Sequence, residues 1–239
     1  MKKRIWELDV LRGVAILGMV AVHLIYDMVY IYDMLELGTG IESLYIFLTE
    51  WGGVIFVALS GICITLGNHP VRRGLIVFAA GMICTLVTWG MFKLDMQTED
   101  IIIRFGVLHC LGICMLLWPL IKKLPVWAWG ILGVAMIVVG LQIQGKVVIH
   151  APALMPLGFI YPGFSSSDYF PLLPNLGYFL IGAVLGKLLY SKKESLLPKV
   201  NDRFFLIRFF SACGRWSLPI YLLHQPLLTG ILELVYALR

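Results

Sequence analysis

Arg12 and His23, at the two ends of the run RGVAILGMVAVH, stand eleven residues apart. Eleven residues is close to three α-helical turns, so both side chains project from one face, roughly 16 Å apart along its axis. Asp27 follows His23 by four residues and Asp9 precedes Arg12 by three, and both extend the same stripe. A carboxylate one turn from an imidazole can orient the ring, fix its tautomer and stabilise its charged form, as a general base requires. The planar guanidinium at the other end suits a phosphate. The pattern predicts proton abstraction near one end of a helix and anion binding near the other, a track that a long, phosphate-headed donor spans. Arg12 also has a simpler reading, an ion pair with Asp9 or snorkelling to headgroups, and both readings stand on the sequence alone.

Further ionisable residues lie in apolar surroundings: Glu50, Arg104, His109 and His224. Counting helical rise from the expected span ends puts Arg12 roughly 8 Å and His23 roughly 24 Å from the inner face. His23, Asp27, Glu50, Arg104 and His109 are then expected in one layer, in the outer third of the bilayer. His224 enters from the opposite side, roughly 12 Å from the inner face by the same count. Polar groups at such depth are costly and usually face an interior cavity, so the layer reads as a functional site. Two of these residues keep a second reading. His109 is a hydrogen-bonded structural residue or a site residue; His224, followed by Gln225 and Pro226, serves either the site or backbone groups freed by a proline kink.

The elements that hold these residues follow from composition. Of 239 residues, 60% are hydrophobic and 14% charged, and the mean hydropathy is +0.90, more apolar surface than a soluble domain of this length can bury. The expected fold is an all-α, polytopic membrane bundle forming a single domain, 1–239. About seven transmembrane helices are expected near 7–33, 44–67, 73–94, 103–121, 125–143, 171–190 and 213–236. The first stretch reads as a retained helix, being too long and too polar at its heart for a signal peptide. Basic residues cluster in alternate loops: Lys2, Lys3 and Arg4; Arg72 and Arg73; Lys122 and Lys123; and the run from Lys187 to Arg215. Only Lys93, Lys146 and Arg239 occupy the other set. The positive-inside rule then puts the N-terminus in the cytoplasm and, after seven spans, the C-terminus outside. The net charge of +5 reports that topology, and nucleic acid is not implied.

Trp6, Trp51, Trp118, Trp127 and Trp216 fall near expected span ends, as interfacial anchors do. The five cysteines match no zinc or disulfide spacing and are read as small core residues; no metal is expected. Two loops stand out. The outer loop 144–170 is long and apolar and is expected to fold back over the bundle as a lid or re-entrant segment. Within it, Asp168 is read as a helix cap or as a substrate contact. The inner loop 191–212 alternates Lys and Arg with Phe and Leu; it is expected to lie on anionic lipid or to bind phosphates.

With these residues in view, the chain resembles bacterial membrane proteins related to the heparan-alpha-glucosaminide N-acetyltransferase catalytic domain, part of a wider set of transmembrane acyltransferases. RIWELDVLRGVAILGMVAVHLIYD at 4–27, PGFSSSDYFPLLPNLGYFLIG at 162–182 and GRWSLPIYLLHQP at 214–226 carry the likeness. The Arg-(ten residues)-His spacing matches that of the polysaccharide O-acetyltransferases in the set, which gives the catalytic role to His23. The resemblance implies transfer of an acetyl group from cytosolic acetyl-CoA to an amino or hydroxyl group of an extracytoplasmic sugar or glycan, in a multi-pass protein of the bacterial plasma membrane. His23, with Asp27, is then catalytic, by direct transfer or through an acetyl-histidine. Arg12, Arg72, Arg73 and His224 are the expected acetyl-CoA contacts, and Glu50, Arg104, His109 and Asp168 the expected acceptor contacts. Acetyl-CoA, the glycan acceptor and membrane lipid are the expected partners, and a homodimer is left open. The rival from another class is a proton-coupled transporter or flippase, since buried His, Asp and Arg also build proton relays.

Overall fold

The computed structural model describes residues 5–238; Lys2, Lys3, Arg4 and Arg239, used above for orientation, lie outside them. Among the described residues the chain is all α, with no strand. The helices are α1 (Trp6–Tyr26), α2 (Thr39–Leu66), α3 (Pro70–Lys93), α4 (Val107–Ile121), α5 (Val126–Ile143), α6 (Leu172–Leu189), α7 (Phe205–Arg215) and α8 (Ser217–Ala237). Six segments among the described residues are long and apolar enough to cross a membrane: Trp6–Ile31, Thr39–Leu66, Pro70–Lys93, Val126–Ile143, Leu172–Leu189 and Ser217–Ala237. The protein is thus a multi-pass membrane protein.

Two expected spans come out differently. The stretch 103–121 becomes helical only at Val107, and the 15 residues of α4 rise roughly 22 Å, short of a roughly 30 Å hydrocarbon layer. Residues 213–236 break at Trp216, which ends α7 and precedes α8. Trp118 is not an interfacial anchor. It is buried, edge-on to Trp129 at 5.0 Å between ring centroids, and packs against Phe179. Trp51 lies well inside α2, because that helix begins at Thr39 rather than near 44.

The chain divides into two compact units, one of residues 1–56 with 193–239 and the other of residues 57–192. In the first, α1 packs on α7 through reciprocal glycines. A Cβ on Gly13 would overlap the carbonyl oxygen of Phe210, and one on Gly214 would overlap that of Asp9. Without a hydrophobic drive between helices in lipid, such close backbone approach supplies the packing energy. Buried Glu7 accepts from the Ser195 hydroxyl at 2.9 Å and the Leu196 amide at 2.7 Å, tying the start of the loop 191–212 to α1.

The second unit has its core around Trp118, Trp129, Phe179, Leu180 and Ala183, with Cys110 and Cys114 fully buried among them as small apolar residues. The end of α2 crosses α6 by the same device, Gly61 against the carbonyl of Phe179 and Gly182 against that of Ala58. The loop 144–170 is ordered by a short 3₁₀ turn at Pro152–Leu157 and a bridge between Val148 and Ile160. It is then fastened to the segment before α4, where Phe105 pairs with Tyr169 and the Phe170 amide donates to the Phe105 carbonyl at 2.8 Å.

Candidate active site

In the first unit, α1 and α8 run alongside one another in the same sense, joined by polar contacts at three levels. Lowest, Arg12 Nη2 donates to the Ser217 hydroxyl at 3.0 Å, while Nη1 lies 3.7 Å from Asp9. The ion pair expected for Arg12 is therefore present, with a hydroxyl partner that sequence spacing did not indicate. About a quarter of the Arg12 side chain stays accessible, so several of its five N–H groups remain for a further acceptor.

The middle level is a histidine pair. The rings of His23 and His224 meet edge to face, 4.8 Å between centroids and 78° between planes. His23 Nδ1 is 2.9 Å from the Met19 carbonyl and His224 Nδ1 is 2.5 Å from the Tyr221 carbonyl. A carbonyl oxygen has no hydrogen to give, so each Nδ1 is the protonated nitrogen and each Nε2 carries the basic lone pair. His224 Nε2 is buried and has no hydrogen-bond partner among the described residues.

Asp27 forms the upper level and is almost wholly buried, at 1% exposure. Both of its carboxylate oxygens accept from Gln225 Nε2, at 2.9 and 3.2 Å. The expectation that Asp27 orients His23 by hydrogen bonding is therefore corrected: the Met19 carbonyl orients the ring, and Gln225 holds Asp27. Asp27 also opens a π-helical turn, Asp27–Ile31, in which the Tyr32 amide reaches back five residues to the Asp27 carbonyl at 2.9 Å. Such one-turn widenings recur at functional sites because they re-aim a side chain out of helical register.

The pairing of His224 with His23 departs from the depth count. Ser217, the first residue of α8, sits opposite Arg12 rather than opposite the start of α1. Opposite Arg12, Ser217 stands roughly 6 Å higher than that count puts it, which takes up about half of the roughly 12 Å between the two histidines.

In the second unit, Arg104 is not on a helix. It lies in the extended segment before α4, where its Nε donates to the Ser165 carbonyl at 2.9 Å and its Nη2 to Glu99 at 2.5 Å, and its backbone amide donates to the Ser166 hydroxyl at 3.1 Å. Asp168 caps α4 from across the loop, accepting from the Val107 amide at 3.0 Å. His109 is buried, with Nδ1 accepting from the Gly106 amide at 3.2 Å. The Thr85 hydroxyl donates to the Ile103 carbonyl at 2.6 Å, which leaves its lone pairs for His109 Nε2–H at 3.3 Å. Phe105 stacks on the ring and Phe78 meets it edge-on. Capping and packing thus engage Arg104, His109 and Asp168. Tyr169 donates to the Met155 carbonyl at 2.7 Å, and burial pushes its phenol up to about 12, so it stays a donor throughout the ordinary pH range.

Glu50 is exposed on α2; Arg72 is exposed at the start of α3, and the Arg73 guanidinium folds beside Gly67. Among the described residues, no three His, Cys, Asp or Glu gather as a metal-holding group. Ser217, Gln225 and the π turn were missed from the sequence. Only Gln225 carried a signal, its place beside His224 in the run HQP.

Two touching imidazoles with Nδ1 held by helix carbonyls, and a buried carboxylate, on facing helices of a membrane protein have the parts for proton-transfer chemistry. The chain matches the family model described as heparan-alpha-glucosaminide N-acetyltransferase, catalytic, over residues 4–226, and it belongs to that family. The matched span includes Arg12, His23, Asp27, His224 and Gln225. No curated protein and no solved structure matches the chain. Membership implies a membrane acetyltransferase, with acetyl-CoA-dependent transfer in general.

Proposed function

We propose that the protein moves an acetyl group from acetyl-CoA, bound from the cytoplasmic side, to an amino or hydroxyl group of a sugar or glycan on the other side, with His23 as the general base. The observation that carries this reading is the hydrogen bond from His23 Nδ1 to the Met19 carbonyl, which fixes the tautomer and leaves Nε2 as the proton acceptor. The acceptor gives its proton to that nitrogen as it bonds to the thioester carbonyl carbon, and the C–S bond breaks with its electron pair going to sulfur. Asp27, buried beside the pair, offsets the positive charge that forms on the imidazole. Arg12 offers its remaining N–H groups to a CoA phosphate. The distribution of basic residues supports a cytoplasmic N-terminus.

The test uses purified protein in lipid nanodiscs, acetyl-CoA labelled in the acetyl group, and glucosamine as probe acceptor. Labelled N-acetylglucosamine and one free CoA thiol per transfer are expected. Movement of a glycan across vesicles with no consumption of acetyl-CoA would replace this reading with a transporter.

A further inference from the structure

The acetyl-transfer reading assigns a task to His23 and none to the ring that touches it. His224 is not occupied by the proline two residues on: its Nδ1 bonds the Tyr221 carbonyl, and its Nε2 is a buried lone pair with no partner among the described residues. The next side chain, Gln225, holds Asp27. Both rings therefore carry the lone pair on the same nitrogen, each with Nδ1 locked to its own helix, and the two rings touch. The reaction has two proton events rather than one. The acceptor must lose a proton, and the CoA sulfur, leaving as a thiolate into surroundings poor in water, is costly to leave charged.

We propose that His23 and His224 form a two-histidine relay, resting on the acetyl-transfer reading, in which His23 Nε2 takes the acceptor proton and His224 Nε2–H protonates the departing CoA thiolate. Both rings are neutral between turnovers, each with its lone pair on Nε2. The acceptor N–H or O–H bond breaks and its proton goes to His23, while the acceptor atom bonds to the acetyl carbon. The proton passes from His23 to His224, the C–S bond breaks with its electron pair staying on sulfur, and sulfur takes the proton from His224. Both rings are then neutral again, with no net gain or loss of protons. The buried carboxylate of Asp27 balances the single positive charge that the pair carries between the two proton transfers. His224 is thus a catalytic residue for the leaving group rather than a donor-binding contact.

The test is a kinetic comparison of His224→Asn and His23→Asn with the unaltered protein in nanodiscs, using glucosamine as acceptor. Asparagine keeps an N–H near the Nδ1 position, so the bond to the helix carbonyl survives while the exchangeable nitrogen is lost. With acetyl-CoA, His224→Asn is expected to lower kcat roughly 100-fold, as loss of an acid group does, with KM for acetyl-CoA changed less than about twofold. With an acetyl thioester of thiophenol, whose thiolate leaves without a proton at neutral pH, His224→Asn recovers to within about threefold of the unaltered protein. His23→Asn stays low with both donors. If His224→Asn does not fold, His224→Gln is read in the same way.

A kcat for His224→Asn equal to that of the unaltered protein overturns the relay, as does a deficit of equal size with both donors. A rise confined to KM for acetyl-CoA, with loss of the thermal shift on CoA binding, also overturns it and returns His224 to a donor contact. If the unaltered protein transfers acetyl from neither donor, the functional reading itself has failed. The relay's own failure shows only in a protein that is active.

Discussion

Gln225 holds Asp27 across two helices, its Nε2 lying 2.9 and 3.2 Å from the two carboxylate oxygens of a residue that is 1% exposed. A buried carboxylate that loses its donor keeps its full desolvation cost, whereas a neutral residue in its place removes the need for the donor. Gln225→Leu is therefore expected to destabilise the protein by about 1–3 kcal/mol in detergent unfolding. Asp27→Leu in the Gln225→Leu background is expected to recover much of that loss. Equal, additive losses from the two changes would show that the pair is not coupled.

The glycines of α1 divide sharply. Gly13 faces the Phe210 carbonyl with no room for a Cβ, while a Cβ on Gly18 meets nothing within 4 Å. Gly13→Ala is expected to cost about 1–3 kcal/mol by forcing α7 away from α1. Gly18→Ala is expected to be neutral or to stabilise by up to about 1 kcal/mol through helix propensity. Thermal unfolding of the two variants side by side checks the difference, and equal midpoints would contradict the α1–α7 contact.

Asp168 ties the loop 144–170 to the first turn of α4. Asp168→Ala is expected to cost about 0.5–2 kcal/mol, as for lost helix caps, and to raise hydrogen exchange at Val107 and through 160–170. Exchange unchanged at both segments would contradict the anchoring.

Tyr169 supplies the pH-dependent part of the same anchor. Its phenol is raised above the ordinary value of 10 to about 12, chiefly by burial, and it acts as a donor to Met155. A group raised in the folded state contributes its stability fully below the unfolded pKa and loses it as pH rises through the folded one. The loop is therefore expected to hold to about pH 10 and to loosen toward pH 12. The difference between the phenolate absorbance of the unaltered protein and that of Tyr169→Phe checks this, and a difference titrating near pH 10 would contradict it.

The helices were legible in the sequence because lipid demands long apolar runs, and the apolar pattern locates six of them within a few residues. The run 103–121 misled because its apolar composition continues through residues 101–106, which the loop draws into extended pairing with Tyr169 and Phe170. The stripe of Arg12, His23 and Asp27 was legible because helical periodicity alone fixes it. Its partners were not, since the level of α8 against α1 depends on where α7 ends and on the Arg12–Ser217 contact, neither of which hydropathy records. The π turn at Asp27 had no composition signal, so the carboxylate expected to face His23 turned to Gln225 instead.

The most direct test of the account is turnover of acetyl-CoA by His23→Asn in nanodiscs, read as CoA thiol release with glucosamine present and paired with the thermal shift on adding CoA. The account predicts a fall in release of roughly 100-fold or more with the CoA shift retained. Release at the level of the unaltered protein would contradict it.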